Sequence, residues 1–351
     1  MFRGKPVEIR TAPHLKRPQG VDEIMRNVVY ALLPIAGFSV WQFGISSLAL
    51  IVTTTLVAML TERLFSHLSG RGNTLKDWSV VITGILLALT LPPGFPLWMA
   101  AVAAFVAVAL GKALFGGLGY NVMNPALVGR AFVQAAFPVA ITTWTPAFAP
   151  GRFTEFVPST LTLPFMKPNP VGEWIVGLNI DGFTGATPLA MQKFQHIFVS
   201  TTDLFLGGVV GSSGEAPALL ILLGGLYLAA RRMLDWRIPV GVFAGAAAVV
   251  LPLWLYDSFT YPSPLFVWFS GGLMLGAWFM ASDMIASPVT PLGAFVYGAL
   301  IGVLTVVIRL FGGLSEGVMY AILLANAASP LIASITQPRV YGQARRQGGR
   351  A

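Results

Sequence analysis

Long apolar segments separated by short polar ones run through most of the chain. About ten of them have the 14 to 22 residues that approach the length a helix needs to cross a bilayer. They lie at 26–43, 45–63, 78–92, 97–116, 125–142, 217–231, 238–256, 264–282, 291–310 and 317–336. The segments 78–92 and 217–231 are short, which is typical of tilted or discontinuous helices. The pattern predicts an all-α polytopic membrane protein.

Composition narrows the function classes. The 351 residues are 55% hydrophobic and 10% charged, whereas soluble domains carry about 25% charged residues. A soluble enzyme is therefore excluded. The chain contains no cysteine and three histidines, so disulfides and Cys-ligated clusters are excluded and we expect no metal site.

The basic residues predict the orientation in the membrane. The net charge is +8, and most Lys and Arg fall in alternate connections, as the positive-inside rule requires. This distribution places both termini in the cytoplasm and the segment 143–200 outside. The charge thus indicates topology and not nucleic-acid binding. Lys112 and Arg130 are expected to extend from span ends to the cytoplasmic surface.

Two nine-residue segments of the chain are alike. Residues 115–123 (FGGLGYNVM) and 311–319 (FGGLSEGVM) share six of nine positions. The topology puts them on opposite faces, which is typical of inverted repeats in transport folds; chance similarity of Gly-rich segments is the alternative. We predict a cytoplasmic segment (1–25), a first transmembrane repeat (26–142), a periplasmic loop (143–200), a second repeat (201–336) and a basic cytoplasmic tail (337–351).

The external loop contains the sequence Asp181-Gly-Phe-Thr-Gly-Ala-Thr187-Pro-Leu189. Asp and Gly favour a turn, and Gly permits a close backbone approach. From these residue types alone, a surface turn is the favoured interpretation of the segment. The segment nevertheless resembles the flavinylation sequence Asp-x-x-Ser/Thr-Gly-Ala-Thr, which occurs in the D subunit of the Rnf ion-translocating electron transport complex and the B subunit of the related Na⁺-translocating NADH:quinone reductase. The resemblance implies that FMN is attached through its phosphate to Thr187.

The resemblance also implies roles for other residues. Asp181, Thr184, Gly185 and Ala186 would form the sequence that a flavin transferase recognises. The segments 121–126 (NVMNPA), 207–215 (GGVVGSSGE) and 279–283 (FMASD) are similar to further family motifs. They imply a fold like urea and ammonium channels, with a non-covalent riboflavin as a second cofactor. The candidate flavin contacts are Asn121, Asn124, Ser212 and Glu215.

Simpler roles for these candidate contacts stay open. Membrane Asn residues often cap helices or bond between them, which would explain Asn121 and Asn124. The segment 211–215 also fits a Gly-rich re-entrant turn, and Glu215 and Asp283 fit interfacial caps or members of an ion pathway.

By resemblance, the chain is a subunit of an ion-translocating ferredoxin:NAD oxidoreductase in the bacterial inner membrane. It would relay electrons, coupled to Na⁺ or H⁺ transport, without being catalytic alone. The implied partners are other membrane subunits, a second flavinylated periplasmic subunit, cytoplasmic iron–sulfur and NADH-binding subunits and, during maturation, the flavin transferase. A small-solute channel is the alternative, because inverted repeats suit it equally. The loop motif favours electron transfer.

Overall fold

The computed structural model describes residues 20–70, 74–177, 185–215 and 217–338, and within these ranges all regular structure is helical. The α-helices are α1 (Val21–Phe43), α2 (Ile45–Leu68), α3 (Ser79–Thr90), α4 (Leu97–Val108), α5 (Pro125–Ala136), α6 (Pro138–Ile141), α7 (Val171–Gly177), α8 (Pro188–Gln195), α9 (Thr201–Leu206), α10 (Ala218–Ala230), α11 (Arg237–Tyr256), α12 (Pro264–Phe269), α13 (Leu273–Leu275), α14 (Pro291–Phe311) and α15 (Val318–Thr336). A 3₁₀ turn (Thr74–Asp77) and two π-helices (Ala109–Ala113 and Gly276–Met280) complete the described elements. The predicted all-α class is confirmed for these residues.

Five of the described helices, α1, α2, α11, α14 and α15, are long and apolar enough to cross a membrane. Three shorter apolar helices cover 79–90, 97–113 and 218–230. Large apolar side chains such as Leu56, Leu60 and Leu331 are exposed on the long helices. Lipid, not water, is the solvent that such faces require. The chain is therefore a multi-pass membrane protein.

Two of the predicted apolar spans are interrupted. In the segment 125–142, α5 ends at Ala136 and α6 begins at Pro138, where the missing N–H breaks the helical ladder. In the segment 264–282, α12 and α13 are separated by an extended Ser270 and by Gly271 at a φ of +61°. The π-helix Gly276–Met280 follows α13 directly. Such breaks leave backbone groups free for other partners.

The two similar nine-residue segments occupy related places in the chain. Residues 115–123 lead from the π-helix Ala109–Ala113 to α5, and residues 311–319 lead from the end of α14 to α15. Each therefore joins a long apolar helix to the next helix of the membrane domain. The inverted relation between them stays a prediction.

Glycines bring α11 and α14 into backbone contact. A Cβ at Gly245 would lie 2.3 Å from the carbonyl oxygen of Ala299, and one at Gly302 would lie 2.1 Å from that of Val242. Only a residue without a side chain permits this approach. The pair α11 and α14 thus forms a rigid unit inside the fold.

We expect Gly302→Ala to destabilise the protein by about 1–3 kcal/mol, because the two helices must separate. The measurement is thermal unfolding in detergent. Gly37→Ala in α1 is the matched control, since nothing lies within 4 Å of its Cβ position; it should be neutral or slightly stabilising. Equal melting shifts for both variants would contradict close packing at Gly302.

Lys112 and Arg130 do not extend to a surface, so that prediction is wrong. Both residues are buried. Lys112 bonds Glu62 of α2 at 2.7 Å, and Arg130 bonds Glu316 at 2.6 Å. Each cation has an acidic partner inside the protein, and the pairing replaces the water that a snorkelling side chain would reach.

Candidate functional site

A cavity of about 350 Å³ lies beside the segment that carries Thr187. It opens between this segment, α5 and the chain that enters α15. Its wall combines aromatic, charged and hydroxyl side chains, among them Arg130, Trp144, Thr187, Phe194, Glu215, Glu316 and Tyr320. Aromatic walls with a few polar groups are typical of small-molecule sites.

Thr187 lies at the start of α8. Its side-chain oxygen accepts the backbone N–H of Ala190 at 3.3 Å, and Pro188 occupies the first helical position. This is the arrangement that Thr and Pro favour at a helix N-terminus. Thr187 is only 6% exposed, so its hydroxyl is reached through the cavity and not from an open surface.

The two residues before Thr187 also line the cavity. Gly185 has a φ of +66°, a left-handed conformation that favours glycine. Ala186 follows, and its small side chain leaves the cavity open. Asp181 and Thr184, the other members of the predicted flavinylation sequence, lie outside the described residues.

Four charged side chains meet beside this cavity, and three of them, Arg130, Glu215 and Glu316, line it. Arg130 donates to one Glu316 oxygen at 2.6 Å, and the backbone N–H of Gly272 donates to the other at 2.7 Å. The Arg309 guanidinium donates to the carbonyls of Val267 and Ser270. Glu215 completes the group. We call Arg130, Glu215, Arg309 and Glu316 the charged cluster.

Gly271 shows how tightly the charged cluster is packed. A Cβ at this position would lie 3.0 Å from Arg309 Nη2, 3.1 Å from Glu316 Oε1 and 2.5 Å from Leu189 of α8. The break between α12 and α13 therefore brings its backbone against the cluster and against the helix that Thr187 caps. A larger residue at Gly271 would separate them.

The segment 211–215 packs against the end of α3. The Ser213 hydroxyl donates to the carbonyl of Leu91 at 3.1 Å, and the Gly214 N–H donates to that of Leu89 at 2.7 Å. The Ser212 hydroxyl donates to Glu215 at 2.5 Å. This supports the interpretation of a re-entrant turn that satisfies helix-end carbonyls. Glu215 lines the cavity with Thr187. Ser212 does not line this cavity and contacts it only by its hydrogen bond to Glu215.

Lys193 of α8 bonds the segment that leads from α14 to α15. Its ammonium group donates to the carbonyls of Gly312 and Leu314. Partial burial lowers the pKa of Lys193, because removal from water disfavours the charged form. These bonds fasten α8 to the segment that carries Glu316.

Asn121 and Asn124 lie at a second cavity, lined also by Thr83, Trp278 and Asp283. Asn124 caps α5, with its Oδ1 accepting from Ala126 at 3.0 Å, and it donates to the carbonyl of Met280 at 3.3 Å. Asn121 donates to the carbonyl of Met123 at 3.3 Å. The capping role considered for these residues is therefore present at Asn124, and the side chains of both residues border a space between helices.

The structure separates the predicted flavin contacts into two places. Thr187 and Glu215 share one cavity, and Asn121 and Asn124 share the other. The sequence reasoning missed Glu316 and Arg309. A signal existed for Arg309, since an Arg within an apolar span is expensive unless it is paired or functional.

A membrane protein whose described residues form only helices, with a charged cluster beside a helix-capping threonine, belongs to the class of membrane-embedded binding and transport proteins. Sequence comparison gives the family. The chain matches the NQR2, RnfD, RnfE family over residues 8–342, and it belongs to that family.

Full-length relatives agree with this assignment. The chain is 39% identical to the D subunit of the ion-translocating oxidoreductase complex of Alcanivorax borkumensis, over 95% of this chain and 96% of that protein. It is 38% identical to the D subunit of the Na⁺-translocating ferredoxin:NAD⁺ oxidoreductase complex of Acetobacterium woodii (95% of each) and 37% identical to the proton-translocating counterpart of Clostridium ljungdahlii (96% of each). The resemblance drawn from the motifs is confirmed. These homologues are named as subunits of ion-translocating oxidoreductase complexes.

Proposed function

We propose that the chain is the membrane-embedded electron-transfer subunit of an ion-translocating ferredoxin:NAD oxidoreductase complex. In this proposal FMN is joined to Thr187 by a phosphoester on the periplasmic side, and electron flow is coupled to Na⁺ or H⁺ transport. The observation that carries it is the position of the Thr187 side chain at a cavity with aromatic and cationic walls. The names of the relatives supply the complex and its redox partners.

The residues at the cavity fit a flavin phosphate ester. Thr187 supplies the hydroxyl, and Trp144, Phe194 and Tyr320 supply aromatic surface for a planar ring. Arg130 supplies a guanidinium whose Nε has no hydrogen-bond partner in the described part of the chain. An anionic ester beside an incompletely paired Arg suits the preference of guanidinium groups for phosphate.

In the proposed relay, the residues at the cavity hold and position the cofactor. Bound FMN would supply reversible electron uptake and release. Thr187 holds the tether at the N-terminus of α8, so the cofactor stays with the subunit. The aromatic wall limits the positions open to the ring, and the Lys193 bonds to Gly312 and Leu314 keep α8 in place.

We also propose ten membrane crossings in two inverted repeats, with both termini in the cytoplasm of a bacterial inner membrane. The alternation of basic connections supports this topology. So does the position of the two similar segments, each ahead of the last predicted apolar span of its half. With this topology the segment 143–200 that contains Thr187 faces the periplasm.

The partners follow from the proposed electron path. Other membrane subunits and a second flavinylated periplasmic subunit would exchange electrons with Thr187-linked FMN. Iron–sulfur and NADH-binding subunits would act on the cytoplasmic side. A flavin transferase would recognise the segment 181–187 during maturation. The solute-channel alternative finds no support, because the relatives are named as oxidoreductase subunits.

A non-covalent riboflavin is proposed at the second cavity. Asn121→Ala should lower the riboflavin content of the purified protein, because a carboxamide at the cavity wall is lost while the α5 cap at Asn124 remains. Solvent extraction and chromatography measure the content. Thr83→Val is the matched control, since the Thr83 hydroxyl bonds the Ser79 carbonyl in the same wall. Unchanged riboflavin in Asn121→Ala would return this residue to a structural role.

Mass spectrometry tests the proposed cofactor directly. The chain is expressed with a flavin transferase, separated under denaturing conditions and viewed by in-gel fluorescence, and the peptide containing Thr187 is then analysed. We expect a fluorescent band and one FMN on that peptide. An unmodified peptide, from cells in which a known target is flavinylated, would overturn the proposal.

A further inference from the structure

An exposed arginine at the end of α10 is held by a buried side chain of α1. Arg231 Nη1 donates to Asn27 Oδ1 at 2.7 Å and to the Tyr227 hydroxyl at 2.9 Å. That hydroxyl donates to the same Asn27 oxygen at 2.7 Å. Asn27 is only 6% exposed, and its Nδ2 donates to the Glu23 carbonyl at 2.7 Å. These bonds fix the position of the guanidinium, and we call Asn27, Tyr227 and Arg231 the Arg231 network.

The next residue, Arg232, occupies a position where glycine is usual. The Met233 N–H donates to the Leu228 carbonyl at 2.9 Å, and the Arg232 N–H donates to that of Ala229 at 3.0 Å. This is the Schellman pattern of a helix end. Arg232 has a φ of +59°, a left-handed conformation that is unfavourable for a residue with a side chain. Since Arg231 already supplies a cation to the helix C-terminus, neither capping nor packing requires a second arginine here.

The two adjacent arginines can still bind an anion. Neither Arg231 nor Arg232 forms an ion pair with a residue of the described ranges, whereas Arg26 of α1 pairs with Asp22 at 3.4 Å. The Glu23 side chain on the same turn of α1 forms none there either. Arg231 uses only Nη1 for its network, so Nε and Nη2 remain as donors. A guanidinium with two such donors matches the geometry of a phosphate group.

An exposed apolar surface continues from the Arg231 network along α1 and α10, which pack against each other. Tyr30 lies on the same face of α1 as Asn27, and Leu223 lies on the same face of α10 as Tyr227, because residues three or four positions apart are neighbours on a helix. Tyr30 is 56% exposed and Leu223 is 54% exposed. Lipid is the solvent that such membrane-helix surfaces require. The network therefore stands at the end of a lipid-facing surface.

We propose that the Arg231 network and Arg232 bind the headgroup phosphate of an acidic phospholipid. The phosphodiester accepts from Arg231 Nε and Nη2 and from Arg232, and the acyl chains lie against Tyr30 and Leu223. A zwitterionic headgroup fits less well, because its ammonium group would approach the same two cations. No member of the network lines either of the two cavities with candidate flavin contacts. The inference therefore does not depend on bound flavin.

Native mass spectrometry of the purified full-length chain, titrated with phosphatidylglycerol or phosphatidylcholine, tests the site. Arg231→Gln should weaken phosphatidylglycerol binding about tenfold, since a charge-assisted contact is lost, and should leave phosphatidylcholine binding unchanged. Arg26→Gln is the matched control, because it removes one cation of α1 whose guanidinium is paired with Asp22. Equal losses in Arg231→Gln and Arg26→Gln would reduce the effect to general charge attraction and overturn the site.

A second variant separates lipid binding from folding. Arg232→Gly relieves the left-handed conformation and should raise the melting temperature in detergent by about 1–3 °C, while it weakens phosphatidylglycerol binding about tenfold. Opposite changes in stability and binding cannot come from a damaged fold. A more stable variant that binds the lipid as before would remove Arg232 from the site.

Two further measurements test whether the occupant is a lipid. Millimolar inorganic phosphate should not displace phosphatidylglycerol from the unaltered chain, because phosphate lacks acyl chains. In the assembled complex, the difference between Arg231→Gln and Arg26→Gln should persist. Displacement by phosphate would leave a site for a free anion, and loss of the difference in the complex would mean that a protein subunit covers the two arginines. Either result would overturn the proposed lipid site.

Discussion

Thr187→Val is expected to abolish covalent flavin while the protein still inserts into the membrane. Valine has nearly the shape of threonine but lacks the oxygen that would form the ester. The variant also loses the Thr187 cap on Ala190 N–H, which costs about 1 kcal/mol. That loss is too small to unfold a domain of this size, so absent flavin would report the missing hydroxyl.

The measurement is in-gel fluorescence together with mass spectrometry of the α8 peptide, after co-expression with a flavin transferase. Thr142→Val is the matched control, because Thr142 lines the same cavity and its hydroxyl bonds the carbonyl of Pro138. The control should carry FMN like the unaltered chain. Covalent flavin on purified Thr187→Val would remove Thr187 as the attachment site.

Helix positions could be predicted from the sequence because the thickness of the bilayer determines the length of the apolar segments that cross it. The apolar run 217–231 corresponds to α10, which spans Ala218–Ala230, and the run 78–92 corresponds to α3, which spans Ser79–Thr90. The interruption between α12 and α13 was harder to locate. Its side chains are as apolar as those of an unbroken helix, and only Ser270-Gly-Gly272 marks the break.

The candidate site was only partly readable. The loop motif pointed to Thr187, yet nothing in its spacing indicated that Arg130 and Glu316 would line the same cavity. These residues are 186 positions apart and meet only in the fold. One clue lay in the repeat, because Glu316 interrupts the second copy where the first copy has Tyr120. A charge within a repeated apolar motif is a departure that packing alone does not require.

The error at Lys112 has a physical reason. A basic residue near a span end has two ways to avoid bare hydrocarbon: it reaches water, or it binds an acid on a neighbouring helix. The acid in question, Glu62, lies on α2, fifty residues earlier. Which of the two occurs depends on helix rotation, and here the π-helix Ala109–Ala113 sets the direction of Lys112. The rotation caused by a π-helix cannot be predicted from the spacing of residues in the sequence.

Lys112→Met should be strongly destabilising. The Lys112 ammonium lies 2.7 Å from Glu62 Oε2 and 2.7 Å from the Ser79 hydroxyl, and the two charged side chains are 4% and 7% exposed. Removing the cation leaves a buried carboxylate without its partner, at a cost of about 3–5 kcal/mol. Ser79 also loses a donor, although its own hydroxyl still bonds Asp77. Thermal unfolding of the detergent-solubilised protein measures the loss.

Two further variants test whether the lost stability comes from the Lys112–Glu62 ion pair. The double variant Lys112→Met with Glu62→Leu removes both charges, so most of the lost stability should return. Arg26→Met breaks the exposed pair with Asp22, whose atoms are 3.4 Å apart, and should cost no more than about 1 kcal/mol. If the double variant were as unstable as Lys112→Met alone, the packing of the lysine chain would explain the loss and the ion pair would not. If it recovers, burial of an unpaired Glu62 is the cause, and the link between α2 and the π-helix depends on charge pairing inside the membrane domain.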